Sequence, residues 1–577
     1  ALQACPQLDG GCRKSAASAI GARRTAMQMH DKRNVLFIVA DDMRPDFGAY
    51  NDSIAYTPNI DKFAREGLTF KTAYTNYAAC APSRTSFMTG RLPDVTRDFT
   101  FTEHFREPGI GGGWRSLPQF FKEVGGYYTA MSGKVFHAKL PPNNDYPLSW
   151  TAKPYSPNCR PPDCPDSIAE DLPVFPHKDE TECVEGKLRH AAFCAAKIRA
   201  NETRLDRQLV DQRTTDSCIR QLREGATLLA AGETAGFFIA CGLHKPHLSW
   251  LFPAEFLDHY PNSTVHVRRR DLMRGYPFVP NGIPDIAWPE TSDGLGINKD
   301  FNATQDPEIV WQIRREYYGA LSYADYNIGK ILDALNVLGH TKDTIVVLTS
   351  DHSFAIGEQG TWGKITNFDS ALRVPLIVRA PWMRASVGKT TRCLAELVDL
   401  YATLVDLAGL PSPTFAGEAI NGTSLAPVFH DPGLNEKMKS NAFSQLARLS
   451  IDRPNERNLT ISRNDIEVMG YTVRTHTYRY TAWFKFNGSK SVAMTQNRLV
   501  GKELYNYPET FGPYADPGEV DNLAYRQEYK SVTRQLHKLL LEKISALPLQ
   551  GDGTGAPSAR SSISSVAQDL VQWGAGF

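Results

Sequence analysis

"NVLFIVADD", residues 34–42, is an unbroken apolar run that ends on two acids. A strand with one wet face alternates apolar and polar residues, whereas a strand covered on both faces has no need to. The run therefore predicts a buried strand in a parallel sheet flanked by helices. "TPNIDKFAREGLTF" (57–70) follows as a helix, with Thr57 as N-cap, Pro58 in the first turn and Gly67 as its stop. Ile60, Phe63 and Ala64 give that helix an apolar stripe.

The same grammar recurs along the chain. "GYYTAMSGKVFH" (126–137), "GFFIACGLHKPH" (236–247) and "DTIVVLTSDH" (343–352) are apolar runs that end in chemically able residues, and "VPLIVRAP" (374–381) is a further strand. A helix-like segment at 317–339 precedes the run at 343–352, so strands and helices alternate as in an α/β fold. From about residue 440 the texture changes: "MGYTVRTHTYRYTAWFKFNG" (469–488) reads as an antiparallel strand pair with one wet face, and 529–547 as an amphipathic helix. The expected organisation is an N-terminal extension (1–33), an α/β catalytic domain (34–440), an α+β subdomain with an antiparallel sheet (441–549) and a tail (550–577).

With 64 basic and 63 acidic side chains among 577 residues, the chain has no global field for polyanions, which argues against a nucleic-acid partner. No apolar run reaches the length of a membrane span. No basic-then-apolar leader opens the sequence, so a signal peptide is expected to be already removed or never present. Sequons at Asn51, Asn201, Asn262, Asn302, Asn421, Asn458 and Asn487 point to a secreted glycoprotein. The close pairs Cys5 with Cys12, Cys159 with Cys164, and Cys183 with Cys194 suit disulfides in short loops, while Cys241 in an apolar run reads as a buried free thiol.

In parallel α/β sheets, ligands bind at the carboxyl ends of the strands. Those ends carry Asp41 and Asp42, Lys134 and His137, His244 and His247, and Asp351 and His352. An Asp pair after a strand serves equally as a turn or a helix cap. Three carboxylates (Asp41, Asp42, Asp351) at two buried strand ends would repel, and Ca²⁺ or Mg²⁺ would offset that charge, with His352 adding a nitrogen or an outer contact. If Lys134, His137, His247 and Lys364 converge beside Arg84, they form a cup for a tetrahedral oxyanion, sulfate or phosphate.

"CAPSRTSFMTGR" (80–91) places Pro82 in the first turn of a helix that Gly90 would end, so Cys80 lies near a helix N-terminus, where an anion is favoured. A thiolate, a buried thiol and a disulfide all fit that position. No second Cys or His stands at ligand spacing from Cys80, which argues against a zinc site. A soft thiolate also matches a hard cation poorly, so an oxygen nucleophile suits the pocket better.

These residues resemble the sulfatase signature, Cys-x-Pro-Ser-Arg followed by Thr-Gly-Arg. "VADDMRPD" (39–46), "GKVFH" (133–137), "HKPH" (244–247) and "SDHSFAIGEQGTWGK" (350–364) occur in the family's order, and the likeness runs from about residue 33 to about 525. It implies an alkaline-phosphatase-like fold: a large domain with a mostly parallel central sheet flanked by helices, plus a small C-terminal subdomain. It also implies that a formylglycine-generating enzyme converts Cys80 to formylglycine, whose hydrated aldehyde attacks sulfur. One Ca²⁺ would be held by Asp41, Asp42, Asp351, His352 and modified Cys80. Arg84 would steady the formylglycine, and Lys134, His137, His247 and Lys364 would surround the sulfate. In the mechanism this suggests, Lys134, Lys364 and the metal offset charge on the sulfuryl oxygens, His247, alone or with Lys364, assists the leaving alcohol and His137 removes the proton that reforms the aldehyde. His244 matches more weakly.

The implied substrate is a sulfated glycan or small sulfate ester, with a 2-O-sulfated uronic acid at a non-reducing end as the nearest match, and the implied location is lysosomal or extracellular. Ser353, Phe354 and "GIGGGWRS" (109–116) depart from the pattern where the sugar pocket would lie. The rival readings are a phosphodiesterase or phosphonate hydrolase of the same superfamily, and a catalytically silent secreted glycan-binding protein.

Overall fold

The structure, a computed structural model, describes residues 33–138, 140–157, 209–248, 250–261, 279–288, 307–450, 461–496, 499–507 and 519–547. The three short-loop cysteine pairs, the tail and most of the N-terminal extension lie outside these residues, as do the sequons at Asn201, Asn262, Asn302 and Asn458.

The opening run is strand β1 (Asn34–Ala40), buried along its whole length. Its residues divide between two cores with a period of two, as a pleated strand requires. Val35, Phe37 and Val39 pack into one core, with Phe87 and Phe120. Leu36, Ile38 and Ala40 pack into the other, with Leu222 and Leu321. Both faces are covered by helices, which is why the strand reads as continuously apolar.

β2 (Leu68–Tyr74), β3 (Tyr128–Gly133), β4 (Phe237–Leu243) and β5 (Thr344–Ser350) join β1 in the sheet. A small hairpin, β6 (Ala355–Ile356) with β7 (Trp362–Gly363), leads to β8 (Arg373–Arg379), β9 (Lys389–Thr391) and β10 (Ala395–Glu396). Among the described residues the central sheet has eight strands, ordered β10-β2-β8-β5-β1-β4-β3, with β9 also on β2. β1 is parallel to β4 and β5, and β3 is parallel to β4. β8 runs antiparallel to both its neighbours, so the sheet is mostly, not wholly, parallel. The register aligns the strand ends: Ala40 faces both Leu243 and Ser350, and Gly133 faces Gly242. The residues that follow, Asp41, Lys134, His244 and Asp351, therefore leave one edge of the sheet together.

Leu68–Phe70, read as the end of a helical segment, instead begin β2; the helix stops at Ala64. Thr57 precedes that helix without capping it, because its hydroxyl donates to Asp61 Oδ2. Cys241 is not a free thiol: it is disulfide-bonded to Cys218 on the Val210–Ala230 helix, with Cα atoms 5.9 Å apart. Cys218 packs across β4 from that helix, a pairing that only tertiary contact creates.

The second sheet comprises β11 (Ala442–Arg448), β12 (Val468–Arg474), β13 (Tyr478–Asn487), β14 (Val492–Ala493) and β15 (Leu499–Asn506), all pairings antiparallel. The expected wet face is absent, since β12 is buried throughout and β13 nearly so. Leu536 and Leu540 of the Lys530–Ser545 helix pack into the core of this sheet, together with Tyr77 and Phe99. β11 also hydrogen-bonds to the main body, through Gln445 N–H to Asn76 O.

Candidate active site

The helix Cys80–Thr89 starts at the edge where the central strands end and stops at Gly90, whose φ of 67° is the left-handed cap geometry glycine favours. Cys80 is 2% exposed. Around its sulfur stand Lys364 Nζ at 3.2 Å, His352 Nε2 at 3.3 Å, Lys134 Nζ at 3.5 Å and Asp41 Oδ1 at 3.6 Å. Groups from four remote segments thus meet on one atom.

Local backbone makes this meeting possible. Asp42 adopts φ 63°, which Asp tolerates better than most residues, and its N–H points at Asp351 Oδ1 at 3.3 Å. Ser350 Oγ donates to Ala40 O and accepts from Met43 N–H, locking the ends of β1 and β5 together. Gly133 has φ 77°, and a Cβ there would stand 2.1 Å from Gly242 O; only glycine lets the chain turn into Lys134.

Arg84 is wholly buried and joins the parts. Its Nε donates to Asp351 Oδ2 at 2.8 Å, its Nη2 lies 3.7 Å from Asp41 Oδ2, and its Nη1 donates to the Lys134 and Val135 carbonyls. Lys134 pairs with Asp41, and Lys364 with Asp42 at 3.0 Å. The three carboxylates are therefore already offset by three cations, so charge balance alone does not demand a metal. Burial would raise the Asp41 pKa, but Lys134, His247, Arg84 and Lys364 hold it well below the usual carboxylate range. Burial opposes charge on His352 too, yet Asp351, the Cys80 sulfur and the hydrogen bond to Asp42 together outweigh it and push the imidazole up to about 10.

The remaining histidines sit further out. His137 pairs through Nδ1 with Ala138 O and stacks on Phe101, with ring centroids 4.8 Å apart. Burial, then Lys134 and Arg84, push it down to about 3. His247 Nε2 is 3.9 Å from Asp42 Oδ2, and burial with Lys364 lowers its pKa well below the ordinary value. His244 turns away, its Nε2 directed at Leu248 O.

Sequence reasoning missed the groups that hold these loops. Asp211, on the first turn of the Val210–Ala230 helix, accepts the backbone N–H of His244 at 2.6 Å and of Lys245 at 2.7 Å. Lys245 Nζ donates to His247 O at 3.1 Å, and burial pulls its pKa to about 8. On the other side, Glu358 binds Arg44 through both oxygens (3.0 and 3.1 Å) and Arg314 at 3.2 Å. Arg44 also donates to Phe354 O, so it ties the end of β1 to the segment that carries Lys364. Lys245, Arg44 and Glu358 stand inside motifs already quoted, which was the available signal; nothing local marks Asp211.

Among the described residues, two donor sets can hold a metal ion: Asp41, Cys80, Asp351 and His352, and Asp41, Asp42 and His247, each with its ligand atoms within 4.8 Å of one another. Asp42 Oδ2 is buried and accepts no hydrogen bond, which fits a further electropositive partner. No helix among the described residues is long and apolar enough to cross a membrane.

The Sulfatase family model matches residues 33–410. Iduronate 2-sulfatase of Mus musculus is 34% identical over 82% of this chain and 89% of its own length. Iduronate 2-sulfatase of Homo sapiens is 33% identical, over 84% and 91%. Among solved structures, a 2-O GAG sulfatase superposes with a TM-score of 0.59 at 21% identity, covering 90% of this chain and 95% of that one. A phosphonate monoester hydrolase of Agrobacterium radiobacter gives 0.60 at 18%, over 89% and 95%. At such identities the structural likeness speaks for the fold alone. With the family model spanning most of the chain and its signature residues gathered at the sheet edge, this protein belongs to the sulfatase family and is a sulfuric ester hydrolase.

Proposed function

We propose that this sulfatase removes the 2-O-sulfate of a uronic acid at the non-reducing end of a sulfated glycan, using formylglycine at position 80 and one Ca²⁺. The observation that carries the reading is the convergence on position 80 of two lysines, an arginine-anchored pair of aspartates and His352. The sugar specificity rests on the two iduronate 2-sulfatases to which the chain is similar along most of its length.

Asp41, Asp42, Asp351, His352 and residue 80 would hold the Ca²⁺, which when bound supplies charge that favours an ionised nucleophile and draws electrons from the sulfuryl group. Formylglycine supplies an oxygen where the thiol stands. Lys134 and Lys364 flank that position, placed to offset charge on the sulfuryl oxygens. Arg84 orients Asp351 and leaves none of its charge to solvent. His247 is held neutral without substrate; the negative charge of a bound ester favours its protonation, so it can pass a proton to the leaving alcohol. His137, held neutral by burial and two cations, is suited to accept a proton during release of sulfate.

The decisive experiment is mass spectrometry of the peptide containing position 80, with turnover measured on the same sample. Aldehyde or its hydrate is expected; fully active protein with only the thiol would sink the mechanism. Defined sulfated oligosaccharides assayed beside aryl sulfate and aryl phosphate esters separate the glycan reading from a phosphohydrolase. A secretory route, ending in the lysosome or outside the cell, is supported by the exposed sequon residue Asn51 and the Cys218–Cys241 disulfide. A catalytic domain that gives way to a C-terminal subdomain near residue 440 is supported by the start of the second sheet at Ala442.

A further inference from the structure

Local spacing around Cys80 offers no partner for a soft metal, but the fold supplies one. His352 Nε2 lies 3.3 Å from Sγ, Asp41 Oδ1 lies 3.6 Å from Sγ, and His352 Nε2 lies 3.4 Å from Asp351 Oδ2. A tetrahedron with Zn–S of about 2.3 Å and Zn–N or Zn–O of about 2.0–2.1 Å has edges of about 3.3–3.6 Å. The S–O and N–O spacings match such edges and the S–N spacing is about 0.2 Å shorter than one; all four donor atoms lie within 4.8 Å of one another. All four residues are buried.

The outer contacts point the same way. His352 Nδ1 faces Asp42 Oδ1 at 3.1 Å and Ser353 O at 3.2 Å, contacts that anchor Nδ1 and turn Nε2 towards the Cys80 sulfur. Arg84 fixes Asp351 through Nε. The Asp42 carboxylate, paired with Lys364 at 3.0 Å, orients His352 instead of serving as a ligand.

We propose that the folded chain with Cys80 unconverted is a tetrahedral site for a borderline-soft divalent ion of the Zn²⁺ class, bound by Asp41, Cys80, Asp351 and His352. Replacing the thiolate by oxygen removes the soft ligand and favours the hard, higher-coordinate ion that also uses Asp42. Conversion of residue 80 thus selects the metal as well as creating the nucleophile. Binding displaces the thiol proton and any proton on His352 Nε2. The inference leans on the sulfatase reading only for the existence of two chemical states of residue 80.

The test uses the full-length chain made in a host that leaves Cys80 as thiol, verified by mass, and titrated with Co²⁺. A thiolate-to-cobalt charge-transfer band with intense tetrahedral visible bands is expected at one ion per chain. Zn²⁺ should abolish it stoichiometrically and millimolar Ca²⁺ should not. The thiolate band should vanish in Cys80→Ser, the tetrahedral bands should fade in His352→Ala, and Asp42→Asn should keep both. Absence of the band from the unmodified wild-type chain, its survival in Cys80→Ser, or its displacement by Ca²⁺ would overturn the proposal. Native protein lacking formylglycine would count against the enzymatic mechanism while leaving this cobalt result to stand or fall separately.

Discussion

Glu358→Gln tests whether the clamp beside the candidate active site contributes the stability its geometry implies. Burial would raise the Glu358 pKa, but Arg44, Arg314 and the Ile356 N–H reverse this and bring it from 4.5 to about 2. A drop of that size corresponds to about 3 kcal/mol of preferential stabilisation of the charged form in the folded state. The carboxylate is only 19% exposed, so solvent screening removes little of this. Because the folded pKa is depressed, the contribution is fully present above the ordinary value of 4.5 and disappears as pH falls towards 2. Urea unfolding of wild type and Glu358→Gln at pH 7 and at successively lower pH should therefore show a gap of about 3 kcal/mol that narrows in acid. Since the clamp fixes the segment carrying Lys364, kcat should fall with stability, by about tenfold or more. A gap below about 0.5 kcal/mol at pH 7, or one independent of pH, would refute the electrostatic account.

Arg84→Ala removes the partner of two buried carboxylates and should cost about 3–5 kcal/mol, read by thermal or urea unfolding, together with nearly all activity. Chelation of divalent ions should abolish turnover and lower the melting temperature; restoring Ca²⁺ at about 100 times its Kd should return about 2.7 kcal/mol of stability. Asp211→Asn keeps an acceptor for only one of the two N–H groups at the His244–Lys245 turn; a fall in kcat larger than any rise in KM is expected, because His247 is mispositioned.

Much of the candidate site was legible because its polar residues are concentrated at the ends of buried strands. A doubly covered strand must be apolar until it leaves the sheet, so Asp41 and Asp42 after "NVLFIVA", and Asp351 and His352 after "TIVVLTS", announce themselves. The helix that starts at Cys80 was equally readable, from Pro82 and Gly90. The residues that brace the site were not. Asp211 looks like an ordinary helix acid, and Glu358 stands in a quoted motif that does not disclose its role; their meaning comes from partners 33 and 314 positions away in the chain.

The amino-acid order by itself determined most of the strands and helices around the candidate site, and which reactive residues stand at their ends, because backbone propensity and burial period act over a few neighbours. The tertiary structure alone decided that β8 runs against its neighbours, that Cys241 pairs with Cys218, and that both faces of β12 are covered. It alone also placed His352 Nε2 3.3 Å from the Cys80 sulfur. Each of those depends on the register of strands joined by long connections, and register is set by packing of the whole core, a quantity no local stretch contains.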